Sequence, residues 1–185
     1  MKATGVVRRI DSLGRIVIPK EVRKTLRIRD GNFLAIFIDS QGEIILKKYS
    51  PINELGDFAK EYTDSLYEAI GHITWVTDLD EVIAVSGCSK KEFLNKRINT
   101  AVEKVMDGRK AVLITQPDRH SDCSIFAGEE GEYSYTAAVI APIIVEGNPI
   151  GAVILASKDP NAKFGDLELK SAVTAASFLA KHMEQ

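Results

Sequence analysis

The run Phe33-Leu34-Ala35-Ile36-Phe37-Ile38 is apolar at every position, so a strand built on it presents apolar side chains on both faces. Both faces then need cover. The surrounding fifty residues offer one short helix, over Lys20–Leu26, in which Val22 and Leu26 make an apolar stripe at i, i+4. A unit of this size is marginal by itself. An intertwined two-fold dimer resolves the conflict, because a second copy supplies the missing cover.

The remaining elements of this segment follow from its punctuation. Ala3–Ile10 and Arg15–Ile18 are β-branched runs on either side of Asp11-Ser12-Leu13-Gly14, which predicts two strands around a turn. In the second run Ile16 and Ile18 point one way and Arg15 and Val17 the other. Pro19 stops that strand and suits the first position of a helix. Asp30-Gly31 ends the helical stretch. A hairpin of Phe33–Ile38 with Glu43–Lys48 is expected across Asp39-Ser40-Gln41-Gly42.

Charge is distributed unevenly. Residues 1–50 hold eleven Lys and Arg against five Asp and Glu, a net +6, whereas residues 51–185 hold thirteen against twenty-one, a net −8. A basic end on an otherwise acidic chain is the footprint of a polyanion binder. On the short helix Lys20, Lys24 and Arg27, with Arg23, form a basic stripe opposite Val22 and Leu26. The competing account is ion pairing, but Asp11, Glu21 and Asp30 are the local acids for nine cations in the first 29 residues. Phosphate contact is therefore expected to claim most of them. A dimer doubles this surface and fixes its two copies relative to each other, as a duplex reader needs.

TGVVRRIDSLGRIVIPKEVRKTLRI, with its core LGRIVIPKEVR, resembles the DNA-binding domain of the AbrB family of transition-state regulators. The resemblance covers about residues 1–50 and implies a swapped-hairpin dimer that binds double-stranded DNA. It implies DNA contacts at Arg8, Arg9, Arg15, Arg23 and Lys24. Lys24 stands where the family often has Arg, which replaces a bidentate donor by a point charge. Arg27 stands where many relatives have Gly after the helix, against the usual helix ending. The same swapped hairpin occurs in antitoxins of toxin–antitoxin pairs, which gives an alternative function. Those proteins usually trail a short disordered tail, whereas about 115 well-patterned residues follow the linker here.

Tyr49-Ser50-Pro51 breaks the pattern, and a linking helix is expected over residues 51–70. Its apolar positions Ile52, Leu55, Ala59, Tyr62, Leu66 and Ala69 form an a/d seam. The seam either pairs with its twin in a dimer or packs on the chain's own sheet. Beyond it, strands are expected over His72–Thr77 and Glu81–Ser86, and Ser89-Lys90-Lys91-Glu92 signals a helix to about Ile98. Asn99 can cap a helix to Asp107, and Ala111–Thr115 reads as a strand. Asp118–Ser134 is loop-like except for Ser124–Ala127. Tyr135–Val145 and Pro149–Ser157 form a hairpin across Glu146-Gly147-Asn148. A last helix, capped by Asp166, runs to about Met183 with Leu169, Val173, Ala176, Ala180 and Met183 on one face.

This order is an α+β class with an antiparallel sheet. With VIAPIIVEGNPIGAVILASKD it resembles a GAF domain, a sensory fold, which implies a place for an unidentified small-molecule ligand. Both halves together, with the ending FLAKHMEQ, resemble sporulation regulators of spore-forming bacteria. The resemblance implies a transcription regulator that activates or represses sporulation genes. Ala172, Ala175, Ala176 and Ala180 would allow close helix approach between chains, so a tetramer, a dimer of dimers, is expected.

No catalytic constellation and no cofactor are expected. His120 and Cys123 supply two metal ligands where zinc needs three or four, so no metal site is expected. His72 and His182 suit solvated or capping roles. Cys88 follows Ser86-Gly87 before a helix start, a setting that lowers a thiol pKa, and some GAF domains are methionine sulfoxide reductases. Cys88 and Cys123 form no CxxC pair, however, and inert thiols in a reducing compartment are the simpler expectation. No apolar run nears the roughly 18 residues of a membrane span, and no signal peptide is visible, so the chain reads as cytoplasmic.

Overall fold

A computed structural model describes residues 6–115, 125–127 and 135–184. The chain divides into two units, Met1–Tyr49 and Ser50–Gln185.

The first unit contains helix α1 (Lys20–Thr25) and strands β1 (Phe33–Ile38) and β2 (Ile44–Tyr49). The strands form an antiparallel ribbon in which Ile36 lies opposite Leu46. Pro19 sits at the cap of α1, one position before the first turn where its ring was expected. The strands expected over Ala3–Ile10 and Arg15–Ile18 are not formed by their described part, residues 6–18. A ladder needs a neighbour, and the backbone bond that joins the two sides there is Asp11 N–H to the Arg15 carbonyl, 3.1 Å. No described residue of this unit is buried. The two-faced strand β1 stands open in a single chain, with Ile36 69% and Phe37 49% exposed.

The second unit is a five-stranded antiparallel sheet between two helical layers. A 3-10 turn, Pro51–Leu55, leads into α2 (Gly56–Ile70); then follow β3 (Ile73–Thr77), β4 (Val82–Ser86), α3 (Lys90–Phe93) and α4 (Thr100–Gly108). Strands β5 (Val112–Thr115), β6 (Ala137–Val145) and β7 (Asn148–Ser157) and helix α5 (Asp166–Met183) complete it. The order across the sheet is β4-β3-β7-β6-β5. Central β6 and β7 are apolar at both parities because both their faces are covered. Val139, Val153 and Leu155 enter the core under α2 and α5. Trp75, Ile140 and Ile154 enter the core on the other face, with Phe93, Val102, Met106 and Phe126.

Several expectations change on this frame. The seam of residues 52–69 is used inside its own unit: Ile52 and Ala59 are buried, and Leu55, Tyr62 and Leu66 pack on the same core. Ala69 turns outward and Ile70 replaces it, because 3.6 residues per turn drift from a strict heptad. The α5 alanines expected between chains also face inward, since Ala172, Ala175, Ala176 and Ala180 are buried against the sheet. Their small size lets the helix approach β6 closely, and Val173 points out instead.

Asp166 opens α5 but does not cap it. The cap position is Gly165, whose N–H donates to Oε2 of Glu168, the third helical residue, at 2.7 Å. The helix after Ser89 lasts one turn, and Ser89 makes no side-chain cap bond. The chain reverses at Asn95, in the left-handed region (φ 62°) that Asn tolerates. Its N–H then reaches the Val82 carbonyl at 2.9 Å, while Val82 N–H donates to Lys96 at 3.0 Å. The open edge of β4 wins this competition over helix extension. Asn99 does cap α4, its side chain accepting from the Ala101 N–H. Ile125–Ala127 docks on the sheet side through Asn99 N–H to Ile125 and Ala127 N–H to Arg97, each 3.0 Å.

Candidate nucleic-acid interface

Four of the five expected contact residues, Arg8, Arg9, Arg15 and Lys24, are exposed on the first unit, and Arg23 is half-exposed. Arg8 and Arg9 lie on the extended segment before the Asp11 turn. That turn is built by Asp11, whose Oδ1 accepts the N–H groups of Leu13 (2.9 Å) and Arg15 (2.8 Å). Its Oδ2 accepts from Arg15 Nε at 2.7 Å. The backbone and side-chain bonds from Arg15 hold the Asp11 carboxyl below its ordinary range.

Helix α1 carries Lys20, Arg23 and Lys24. Its end is a complete Schellman motif: Ile28 N–H donates to Arg23 carbonyl at 2.8 Å and Arg27 N–H to Lys24 carbonyl at 3.3 Å. Arg27 occupies the left-handed position (φ 51°) that favours Gly, so the cap survives without glycine and the site gains a cation. Lys48 Nζ donates to the Arg27 carbonyl at 3.1 Å, tying this bend to β2.

Arg23 is the second cation with a local acid, its Nη1 standing 2.9 Å from Asp30 Oδ1. Among the described residues, Arg8, Arg9, Lys20, Lys24 and Arg27 carry no ion pair. Both ion pairs are solvent-exposed on at least one side and so contribute little stability.

The second unit holds a separate set of features. A half-open cleft of about 360 Å³ lies between β6 and α5, lined by Arg109, Pro142, Ile144, Val173, Ser177 and Lys181 among others. These residues come from three distant segments, so no local sequence signal marks it. Arg109 is fixed at the rim by its Nε bond to the Gly147 carbonyl, 2.7 Å. His72 packs on Phe164 and stands 3.7 Å from Glu168. His182 is stacked on an aromatic ring of α2. Neither contact was legible from local sequence.

Burial pushes the Cys88 thiol up to about 11, which favours the inert thiol over the activation that a helix start can give. The helix that follows is a single turn, too short to supply a useful dipole. His120 and Cys123 lie outside the described residues. Among the described residues no group of three or more His, Cys, Asp or Glu could hold a metal ion.

Residues 54–184 match the family described as stage V sporulation protein T C-terminal, transcription factor. Residues 7–54 match the family described as antidote-toxin recognition MazE, bacterial antitoxin. Over its full length the chain is 55% identical to stage V sporulation protein T of Bacillus subtilis (strain 168), covering 100% of both. It is 55% identical over 51 residues to the transition state regulatory protein AbrB of the same organism, 28% of this chain and 52% of that one. Its fold is similar to the GAF domain of an Acinetobacter phosphoenolpyruvate-protein phosphotransferase (TM-score 0.60, 15% identity, 72% of this chain and 88% of that one). It is also similar to a type II free methionine-R-sulfoxide reductase of Thermoplasma acidophilum (TM-score 0.55, 16% identity, 72% and 95%). At these identities the likeness carries the fold alone.

Proposed function

The chain belongs to the stage V sporulation protein T family of transcription factors, and on that premise we propose how its two units divide the work. It is a sporulation transcription regulator with an AbrB-like DNA-binding unit and a GAF-like C-terminal unit. Arg8, Arg9, Arg15, Arg23 and Lys24 contact duplex DNA. The observation that carries this reading is the surplus of cations on the first unit: among the described residues Arg8, Arg9 and Lys24, with Lys20 and Arg27, lie outside any ion pair, and the pairs of Arg15 and Arg23 are solvent-exposed. Phosphates supply the missing counter-charge and release the cations bound to them.

The active form of the first unit is a swapped-hairpin dimer. Support comes from its lack of any buried described residue and from the exposed Ile36 and Phe37. The second unit then joins dimers into a tetramer. With the α5 alanines used internally, the support for that step is the outward Val173 and Phe178, both large, apolar and nearly half exposed. Linking two dimers raises the effective concentration of each DNA site for the other. The cleft between β6 and α5 is the candidate place for a small-molecule ligand, which would regulate by preferring one arrangement of the assembly.

The chain acts in the cytoplasm and not as an enzyme; the raised Cys88 thiol argues against reductase chemistry at that position. The antitoxin reading is weaker, because a folded five-stranded unit follows the part that matches the antitoxin family.

The test is duplex binding by the full chain, followed by anisotropy across salt concentrations. Arg15→Ala and Arg23→Ala should each weaken binding by ~1–3 kcal/mol if they read base edges. The log–log salt slope should be steep, on the order of several released ions per dimer. Unchanged affinity in both variants, with the fold intact, or a flat salt dependence sinks the assignment.

A further inference from the structure

Asp11-Ser12-Leu13-Gly14-Arg15 and Asp39-Ser40-Gln41-Gly42-Glu43 are two copies of one turn. In each, the Asp Oδ1 accepts the N–H of the third and fifth residues: Leu13 and Arg15 at 2.9 and 2.8 Å, Gln41 and Glu43 both at 2.9 Å. In each, the Asp N–H donates to the carbonyl of the fifth residue at 3.1 Å. The Gly N–H returns to the Asp carbonyl at 3.0 Å in the first and 3.1 Å in the second. Both glycines are left-handed, φ 76° and 80°. The same bonds build both turns, which differ in what the fifth residue offers. Glu43 has no donor for the second oxygen of Asp39. Arg15 has one, and its Nε lies 2.7 Å from Asp11 Oδ2.

A guanidinium held through Nε keeps its two terminal nitrogens outside that bond. Those nitrogens form the edge that pairs with a phosphate, or with the two acceptors of guanine. The Arg15 side chain is 71% exposed, so that edge is accessible. A free arginine loses rotamer entropy when it is immobilised. Holding it beforehand removes part of this cost from the binding step.

We propose that Asp11 is a positioning residue for DNA reading: it builds the turn with one oxygen and aims Arg15 with the other. This rests on the reading of the first unit as a duplex binder. The carboxylate stands beside a polyanion, where its charge alone is unfavourable, so positioning and plain electrostatics predict opposite signs for its removal.

The experiment uses the full chain with two probes: the duplex it enriches from a random-sequence pool, and mixed-sequence duplex. Asp11→Asn retains an oxygen for the two backbone N–H groups but turns an N–H toward Arg15 Nε. It should lower the ratio of enriched to mixed affinity roughly tenfold. Asp39→Asn, the same change in the sister turn, should leave that ratio within about twofold. In an Arg15→Ala background Asp11→Asn should have no further effect on the ratio. Arg15→Lys keeps Asp11 and the turn but cannot be held through Nε, so it should reproduce the loss even if Asp11→Asn folds poorly. Equal effects of the two Asn variants, an undiminished Asp11→Asn effect without Arg15, or a full ratio in Arg15→Lys overturns the positioning role alone. A chain that retains no duplex overturns the underlying reading, and this inference with it.

Discussion

The imidazole of His182 lies flat on the ring of Phe58, centroids 4.4 Å apart and planes 12° from parallel. Phe178 stacks on both Phe58 (5.9 Å) and Tyr62 (5.3 Å), so four rings clasp α2 to α5 along the outer side of the second unit. Burial raises the Tyr62 hydroxyl pKa, as expected for a phenol packed in this clasp. Phe178 remains 47% exposed, an edge of the clasp open to another chain. Phe178→Asp should leave the unit folded and reduce the proposed tetramer to a dimer. Light scattering of variant and parent decides it; identical subunit counts would remove this face from the assembly.

Phe37→Asp should abolish both dimerisation and folding of the fragment of residues 1–50. Phe37 is half exposed in one chain, so a carboxylate there is tolerable unless a second chain covers it. Sedimentation and far-UV circular dichroism report the two losses together. A folded monomer of either fragment would contradict the intertwined dimer.

Arg27→Gly should raise the melting temperature and weaken duplex binding at once. The left-handed backbone at Arg27 costs on the order of 1 kcal/mol that glycine avoids, less what glycine loses through its freer unfolded chain. The cation it removes should make the salt slope shallower. Thermal melts and a salt titration of the same two proteins give both signs.

Gly151→Ala should be severely destabilising, by roughly 3 kcal/mol or more. A Cβ at Gly151 would stand 2.0 Å from the Thr77 carbonyl oxygen, and β7 pairs β3 through that stretch. Thermal unfolding checks it, and a near-parental melt would show that the strands can part cheaply.

Cys88 should be alkylated slowly, with a pH–rate midpoint near 11 against the ordinary 9.0. The raised pKa keeps the thiol neutral in the folded chain. Between about 9 and 11 the unfolded chain ionises first, so this group withdraws stability as pH rises through that window. Peptide-level mass spectrometry after iodoacetamide treatment isolates Cys88 from Cys123. A midpoint at or below 9 would mean that the thiol is activated.

The hairpin of β1 and β2 and the β6–β7 pair were legible because short continuous apolar runs end on turn residues there. Helix α5 was legible in extent and, Val173 apart, in its inner face, but the role of its alanines was misread. Its alanines suit either a sheet or a second chain, and only the neighbouring strand decides. Asn95 reversed a helix that local signals favoured, since the open edge of β4 lies beyond any local window. The basic stripe on α1 was read from spacing alone. The Asp11–Arg15 bond was not, because an acid four residues from a base is as common in idle pairs as in aimed ones.

The lack of any buried residue among those described in the first unit ties gene control to chain abundance. In the proposed dimer a segment with no described residue buried gains its structure by meeting its twin, so at low expression the competent species grows with the square of the chain concentration. Halving synthesis would then remove about three quarters of the competent pairs. A cell entering a developmental programme would meet a threshold in the dose of this regulator before any ligand or operator contributes one.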